Sequence, residues 1–196
     1  MRENKIEKIN YLFVGESPYF KDKKKEERKY YNIEPKYNYP TELVAFFPEY
    51  VNNHKDNIFK ITTYKRIIGL LNNDRVSIND SSNYDSANNI VKKYKEQGTY
   101  FCNLNELKDL ITFSERSLKI AKKNTTWIID STTKILCFGS DAINYFTSTD
   151  FYKYKLNIAT FPHPSPNNYN VFWKHYDKDF NPIIHNLNID LLPPTP

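Results

Sequence analysis

Three short stretches carry the side chains best suited to chemistry. In Phe161-Pro162-His163-Pro164-Ser165-Pro166-Asn167-Asn168, three prolines within five residues hold a histidine and a serine on a stiff backbone. Proline fixes φ and removes a backbone donor, so such a loop is rigid by construction. In Gly15-Glu16-Ser17-Pro18-Tyr19-Phe20, a carboxylate and a hydroxyl precede another proline. Asn103 follows the apolar run Thr99-Tyr100-Phe101-Cys102, and a primary amide offers a donor and an acceptor side by side. A rigid His, a carboxylate and an Asn facing one crevice suit recognition of a planar base and stabilisation of a departing anion. The plainer readings are a surface turn with an incidental histidine, and a Ser17 that caps a helix while Glu16 faces water.

Strands must position these groups. Tyr11 to Val14 is a short apolar run ended by Gly15, and Thr99 to Cys102 is a second. Ile135 to Phe138, broken by Gly139, and Leu156 to Phe161 complete four strands. Runs of this kind read as parallel strands covered on both faces. Helices are expected over Thr41 to Tyr50, stopped by Pro48, and over Thr63 to Leu71. Ala87, Ile90, Val91 and Tyr94 recur at helical spacing, with Gly98 closing that helix. Further helices are expected over Ser117 to Thr132, over Ser140 to Phe146 with Ser140 as cap, and from Pro182 through Leu187. Asn72 to Tyr84 reads as a surface loop, and the mixed charge run Lys21 to Lys29 as a solvated face. Strands alternating with helices give an α/β domain, with a central four-stranded, mostly parallel sheet between helical layers. One such domain accounts for residues 1–196, with a frayed tail over about 191–196. Every candidate polar group falls just after a strand, where open α/β sheets form their ligand crevice.

Composition removes several function classes. Lys+Arg of 28 against Asp+Glu of 23 gives a net charge of +5, compatible with a polyanionic partner. The heavy Lys and Asn usage makes single examples of either uninformative. Arg2 to Lys8 is charged with no small-residue cleavage site after it, and no apolar run nears the ~20 residues of a membrane span. Cys102 and Cys137 lie in apolar runs and read as reduced core thiols of a cytoplasmic protein. Neither a Gly-x-Gly-x-x-Gly turn nor a Gly-Lys-Ser/Thr loop occurs, so no nucleotide cofactor is expected. His54, His163, His175 and His185 lack ligand spacing with the cysteines, so no metal is expected. A Ser-His hydrolase would want a nucleophile elbow, which is missing.

Gly15-Glu16-Ser17-Pro18-Tyr19 after the first core strand and His163-Pro164-Ser165-Pro166-Asn167-Asn168 after the last resemble the paired motifs of the uracil-DNA glycosylase superfamily. Tyr100-Phe101-Cys102-Asn103 resembles the strand whose terminal Asn reads the pyrimidine edge, and Ile135 to Gly139 the third core strand. The resemblance spans roughly residues 8 to 180. It implies a three-layer α/β/α fold and a catalytic set of Glu16, Ser17 and His163, with His163 donating to the pyrimidine O2. It also implies base contacts from Asn103 and Tyr19, stacking on Phe20, and DNA contacts from Ser165, Asn167 and Asn168.

The departures define the expected variant. Ser17 stands where the best-known relatives carry Asp, and Glu16 fits the G-E-x-P pattern of thermophile-type members. Those members hold an iron–sulfur cluster on four cysteines, which two cysteines do not provide. Asn167 replaces the usual wedge Leu or Arg, and H-P-S-P-x-N resembles the single-strand-selective branch that tolerates 5-hydroxymethyluracil. The resemblance therefore implies a monomeric, cofactor-free, monofunctional DNA glycosylase acting on uracil or a modified pyrimidine, flipped out or single-stranded. Stripping hypermodified bases from phage DNA is one role such an enzyme could serve. The alternative is a catalytically inactive DNA- or protein-binding module on the same fold.

Overall fold

The structure, a computed structural model, describes residues 5–16, 30–32, 43–48, 62–71, 87–122, 125–165 and 168–175. Its centre is a six-stranded sheet. The strands β2 (Tyr11–Gly15), β5 (Thr99–Asn103), β9 (Lys134–Phe138) and β10 (Asn157–Phe161) are the four expected ones, adjacent and mutually parallel. Two strands extend them antiparallel, β4 (Leu43–Pro48) beside β5 and β3 (Tyr30–Asn32) at the edge, giving the order β10-β9-β2-β5-β4-β3. The expectation of four strands is therefore corrected to six. The class is mixed α/β, as expected.

Three of the parallel strands hold because they are apolar on both faces; β10, at the sheet edge, buries only Phe161 fully. Leu12, Phe13 and Val14, Phe101 and Cys102, and Ile135 to Phe138 are all fully buried. Aromatic rings run across the strands: Phe13 lies 4.8 Å from Phe101 and 5.9 Å from Phe138, and Phe138 stacks on Phe161 at 5.2 Å. Each such pair contributes roughly 0.5–1.5 kcal/mol beyond the area it buries. The helices α1 (Thr62–Leu71) and α2 (Ala87–Glu96) pack on β4 and β5. Gly98 follows α2 at a φ of 73°, in the left-handed region expected of a closing glycine.

Two expected helices are strands. The segment Thr41 to Tyr50 contains β4, with Val44 to Phe47 all buried. Four consecutive apolar residues satisfy either a buried helix turn or a strand covered on both faces, and pairing of Val44 with Cys102 decides for the strand. The segment Ser117 to Thr132 forms β7 (Leu118–Lys122) and β8 (Thr125–Ile129), paired antiparallel. Here Leu118 and Ile120, then Thr125, Trp127 and Ile129, point inward at a period of two. That alternation fits better than the helical spacing, which relied on Ala121 and Ile128. These strands join β6 (Ile111–Phe113) and β1 (Lys5–Lys8) in a second sheet, ordered β1-β8-β7-β6.

Strand β1 was not expected, since its sequence is mostly charged. Glu7 holds it: its carboxylate accepts from the Tyr100 hydroxyl at 2.9 Å and the Trp127 indole at 3.1 Å, and pairs with Lys5 at 2.7 Å. Both cysteines are free and buried, and burial pushes the Cys137 thiol up to about 12. No helix among the described residues is long and apolar enough to cross a membrane. The charge run Lys21 to Lys29, the loop Asn72 to Tyr84 and the helix expected from Pro182 lie outside the described residues.

Candidate functional site

The parallel register brings the four strands to an end at one level. Gly15 pairs with Asn103, Val14 with Cys137, and Phe138 with Phe161. The next residue along each strand or turn is therefore delivered to a common carboxyl edge: Glu16 after β2, Gly139 after β9, Pro162 and His163 after β10. Asn103 ends β5 at that edge and is only 3% exposed. Its amide donates to Glu106 Oε2 at 3.3 Å, on the one-turn helix α3 (Leu104–Leu107).

Glu16 does not simply face water. Its Oε1 accepts from the Ser140 hydroxyl at 3.3 Å and from the Asp141 backbone N–H at 3.2 Å, at the start of α4 (Ser140–Phe146). The expected cap is corrected accordingly: Gly139 occupies the cap position, and no side chain caps from there. Ser140 is instead the first helical residue, and Glu16 reaches across from the neighbouring strand to satisfy a helix-start N–H. Gly139 makes room for this. Its φ is 96°, and a Cβ there would fall 2.6 Å from Glu16 Cδ.

The His163 loop is pinned at several points. Asn168 Nδ2 donates to the His163 carbonyl at 3.1 Å and to the Ser165 hydroxyl at 3.4 Å. The Asn168 N–H also donates to the Ser165 carbonyl at 3.1 Å. The same carbonyl accepts from the Arg66 guanidinium, which projects from α1. The helix α5 (Tyr169–His175) follows, and its Phe172 ring lies under Arg66 at 5.8 Å.

His163 is half-buried, and burial pushes its pKa below the ordinary histidine value; the Glu16 carboxylate pulls it up and the Arg66 charge pushes it down. Near neutral pH the imidazole is uncharged, so one ring nitrogen donates and the other accepts.

The structure thus brings Glu16, Asn103, His163, Ser165 and Asn168 to one edge of the sheet. Ser17, Tyr19, Phe20 and Asn167 lie outside the described residues. Three further residues shape this edge. Arg66 could have been noticed in the sequence, because it interrupts a helix that is apolar on almost every side, where Thr63, Tyr64, Ile67, Ile68, Leu70 and Leu71 are all buried. Gly139 is one of four glycines and sits between a strand and a helix. Phe46 carried no distinguishing signal. It is non-glycine at a φ of 70° and its ring meets Gly15, where an added Cβ would lie 3.0 Å away. It also packs edge-on against Phe138 at 5.2 Å. A backbone held in that region costs roughly 1–3 kcal/mol and persists where the surroundings over-determine it, commonly at functional sites.

No protein-family model, no curated protein and no solved structure matches this chain.

Proposed function

We propose that the protein is a monofunctional DNA glycosylase with the three-layer fold of the uracil-DNA glycosylase superfamily, acting in the cytosol on a modified pyrimidine. The observation that carries this reading is the shared carboxyl edge, where Glu16, Asn103 and His163 follow three adjacent or near-adjacent parallel strands. That is the spatial arrangement the two sequence motifs require if they are to act on one nucleotide.

In this reading the target base leaves the stack, at a cost of a few kcal/mol in duplex DNA. The Asn103 amide pairs with the pyrimidine edge. As the bond from C1′ to the base nitrogen breaks, its electron pair passes to the pyrimidine and negative charge grows on O2. His163, neutral at working pH, donates a hydrogen bond to that oxygen. A preorganised donor of this kind typically contributes about 3–4 kcal/mol when measured by removal. Water attacks C1′ from the opposite face, and the proton it loses neutralises the departing pyrimidine anion, leaving an abasic sugar and the free base. Glu16, fixed at the start of α4, faces the developing sugar cation with its carboxylate. An enlarged pyrimidine is favoured over plain uracil because the H-P-S-P-x-N motif resembles the branch that tolerates 5-hydroxymethyluracil. Removal of hypermodified bases from phage DNA is a role that fits such a substrate.

The test is incubation with DNA containing uracil, 5-hydroxymethyluracil or glucosylated cytosine, followed by alkaline cleavage at abasic sites. Loss of the charge-stabilising groups in His163→Ala and Glu16→Gln lowers base release at least about tenfold each. Full activity in both variants would overturn the assignment.

One observation favours a second reading. Because Glu16 is engaged by α4 and Ser17 replaces the customary Asp, the fold could serve as a catalytically inactive DNA-binding module. That reading predicts DNA binding with a steep salt dependence and no abasic product on any substrate.

A further inference from the structure

A buried cation that neither sequence motif contains touches the loop carrying His163. Arg66 is 4% exposed and comes from the middle of α1, far from the loop in sequence. Burying a guanidinium is expensive unless its N–H groups are bonded, so its position needs a structural reason. The contacts supply one. The guanidinium donates to the Ser165 carbonyl, and its plane lies near the Phe172 ring of α5. The segment before the loop is β10 and the segment after it is α5, so Arg66 ties the loop to both α1 and the element that follows. The planar, rigid donor fork makes arginine better suited than lysine to hold a carbonyl and lie against a ring together.

We propose that Arg66 is a positioning residue for His163, its guanidinium fixing the His163–Ser165 backbone so that the imidazole keeps one place at the sheet's carboxyl edge. As a role in catalysis this rests on the glycosylase reading; as a statement about the loop it does not. Among the described residues, the charged groups acting on the imidazole are Glu16, from the turn after β2, and Arg66, from α1. They oppose one another. With Arg66 present, the like charge reinforces burial in keeping His163 neutral, the form that donates from one nitrogen only. Arg66 thus has two separable effects, one through the hydrogen bond and one through charge.

The experiment is nuclear magnetic resonance of the full chain. In the unmodified protein, the Arg66 Nη protons are expected as separate, slowly exchanging signals, the mark of a guanidinium held by its partners; fully averaged signals would overturn the proposal without any variant. Arg66→Gln keeps a donor and removes the charge. In it the His163 titration moves upward toward the ordinary histidine value, while Arg66→Lys, which keeps the charge, leaves the titration near that of the parent. Amide exchange at Asn168 quickens in Arg66→Lys, because the fork is lost. An unchanged His163 titration in Arg66→Gln, or unchanged Asn168 exchange in Arg66→Lys, contradicts the assignment. Base release measured on the same samples separates the two claims: an inactive parent protein with the expected resonances sinks the glycosylase reading and leaves the positioning of His163 standing.

Discussion

The two ends of the parallel sheet use polar groups differently. At the amino edge they complete the backbone. The N–H groups of Asn10 and Tyr11 both donate to the Gly98 carbonyl, the Asn10 amide donates to Gln97, and the Lys134 N–H returns to Asn10. The Thr133 hydroxyl, fully buried, donates to the Ile9 carbonyl at 2.7 Å. At the carboxyl edge, long side chains reach across between elements to fix the segments that carry the candidate groups: Glu16 to the start of α4, Arg66 and Asn168 to the carbonyls of the His163 loop. One edge closes the fold, while the other gathers Glu16, Asn103 and His163 at the ends of neighbouring strands. Open α/β sheets divide their labour in this way.

Two glycines allow the difference to be broken most sharply, because both have positive φ and both abut a side chain. Gly139→Ala strains the backbone and pushes the new Cβ into Glu16, so it is expected to cost roughly 1–3 kcal/mol and also to lower base release at least about tenfold through the displaced carboxylate. Gly98→Ala, whose Cβ would meet Asn10 Nδ2 at 2.8 Å, is expected to cost a similar 1–3 kcal/mol but to leave base release per folded molecule unchanged. Denaturant unfolding and the abasic-site assay on the same two variants measure this. Equal effects of the two substitutions on activity would erase the distinction between the edges.

Thr133→Val sharpens the comparison from the amino side alone. It orphans the buried Ile9 carbonyl and is expected to cost about 1–3 kcal/mol without touching activity. The smallest expected effect is on the pH dependence of stability. His163 has a folded pKa below its unfolded value of 6.5, so below that pH the unfolded chain takes up a proton that the folded site resists. The stabilising contribution is complete above pH 6.5 and is lost as the pH falls through the folded value. The acid limb of stability is therefore shallower in His163→Ala. An identical limb in the two proteins would show that the imidazole titrates no differently in the folded chain.

The sequence showed the carboxyl edge far better than the rest of the molecule. Four apolar runs gave the parallel strands within a residue or two. Three of them are buried on both faces and advertise themselves by composition, while the edge strand β10 is only partly buried and was marked by the run up to Phe161. Glu16, Asn103 and His163 could be placed at one edge from strand ends alone. The antiparallel additions were harder. Val44 to Phe47 is apolar without a period, and only pairing with β5 distinguishes it from a helix. In β7 and β8, an alternation of two residues competed with an accidental helical match among Leu118, Ala121, Ile128 and Ile129. Strand β1 looks like a charged leader in isolation. Its place depends on Glu7 meeting Tyr100 and Trp127, which lie far along the chain. Arg66 and Gly139 stand out in the sequence as an odd cation and a scarce glycine, but the partners that give them meaning, Ser165 and Glu16, are not legible from local pattern.

The central claim is that the carboxyl edge releases a pyrimidine from DNA with His163 at its leaving group. The most direct measurement is abasic-site formation by the parent protein and by His163→Ala across uracil-, 5-hydroxymethyluracil- and glucosylated-cytosine-containing DNA. The account predicts alkali-labile sites in at least one substrate with the parent protein and their suppression in the variant. Salt-sensitive DNA binding without abasic product on any of the three would contradict it.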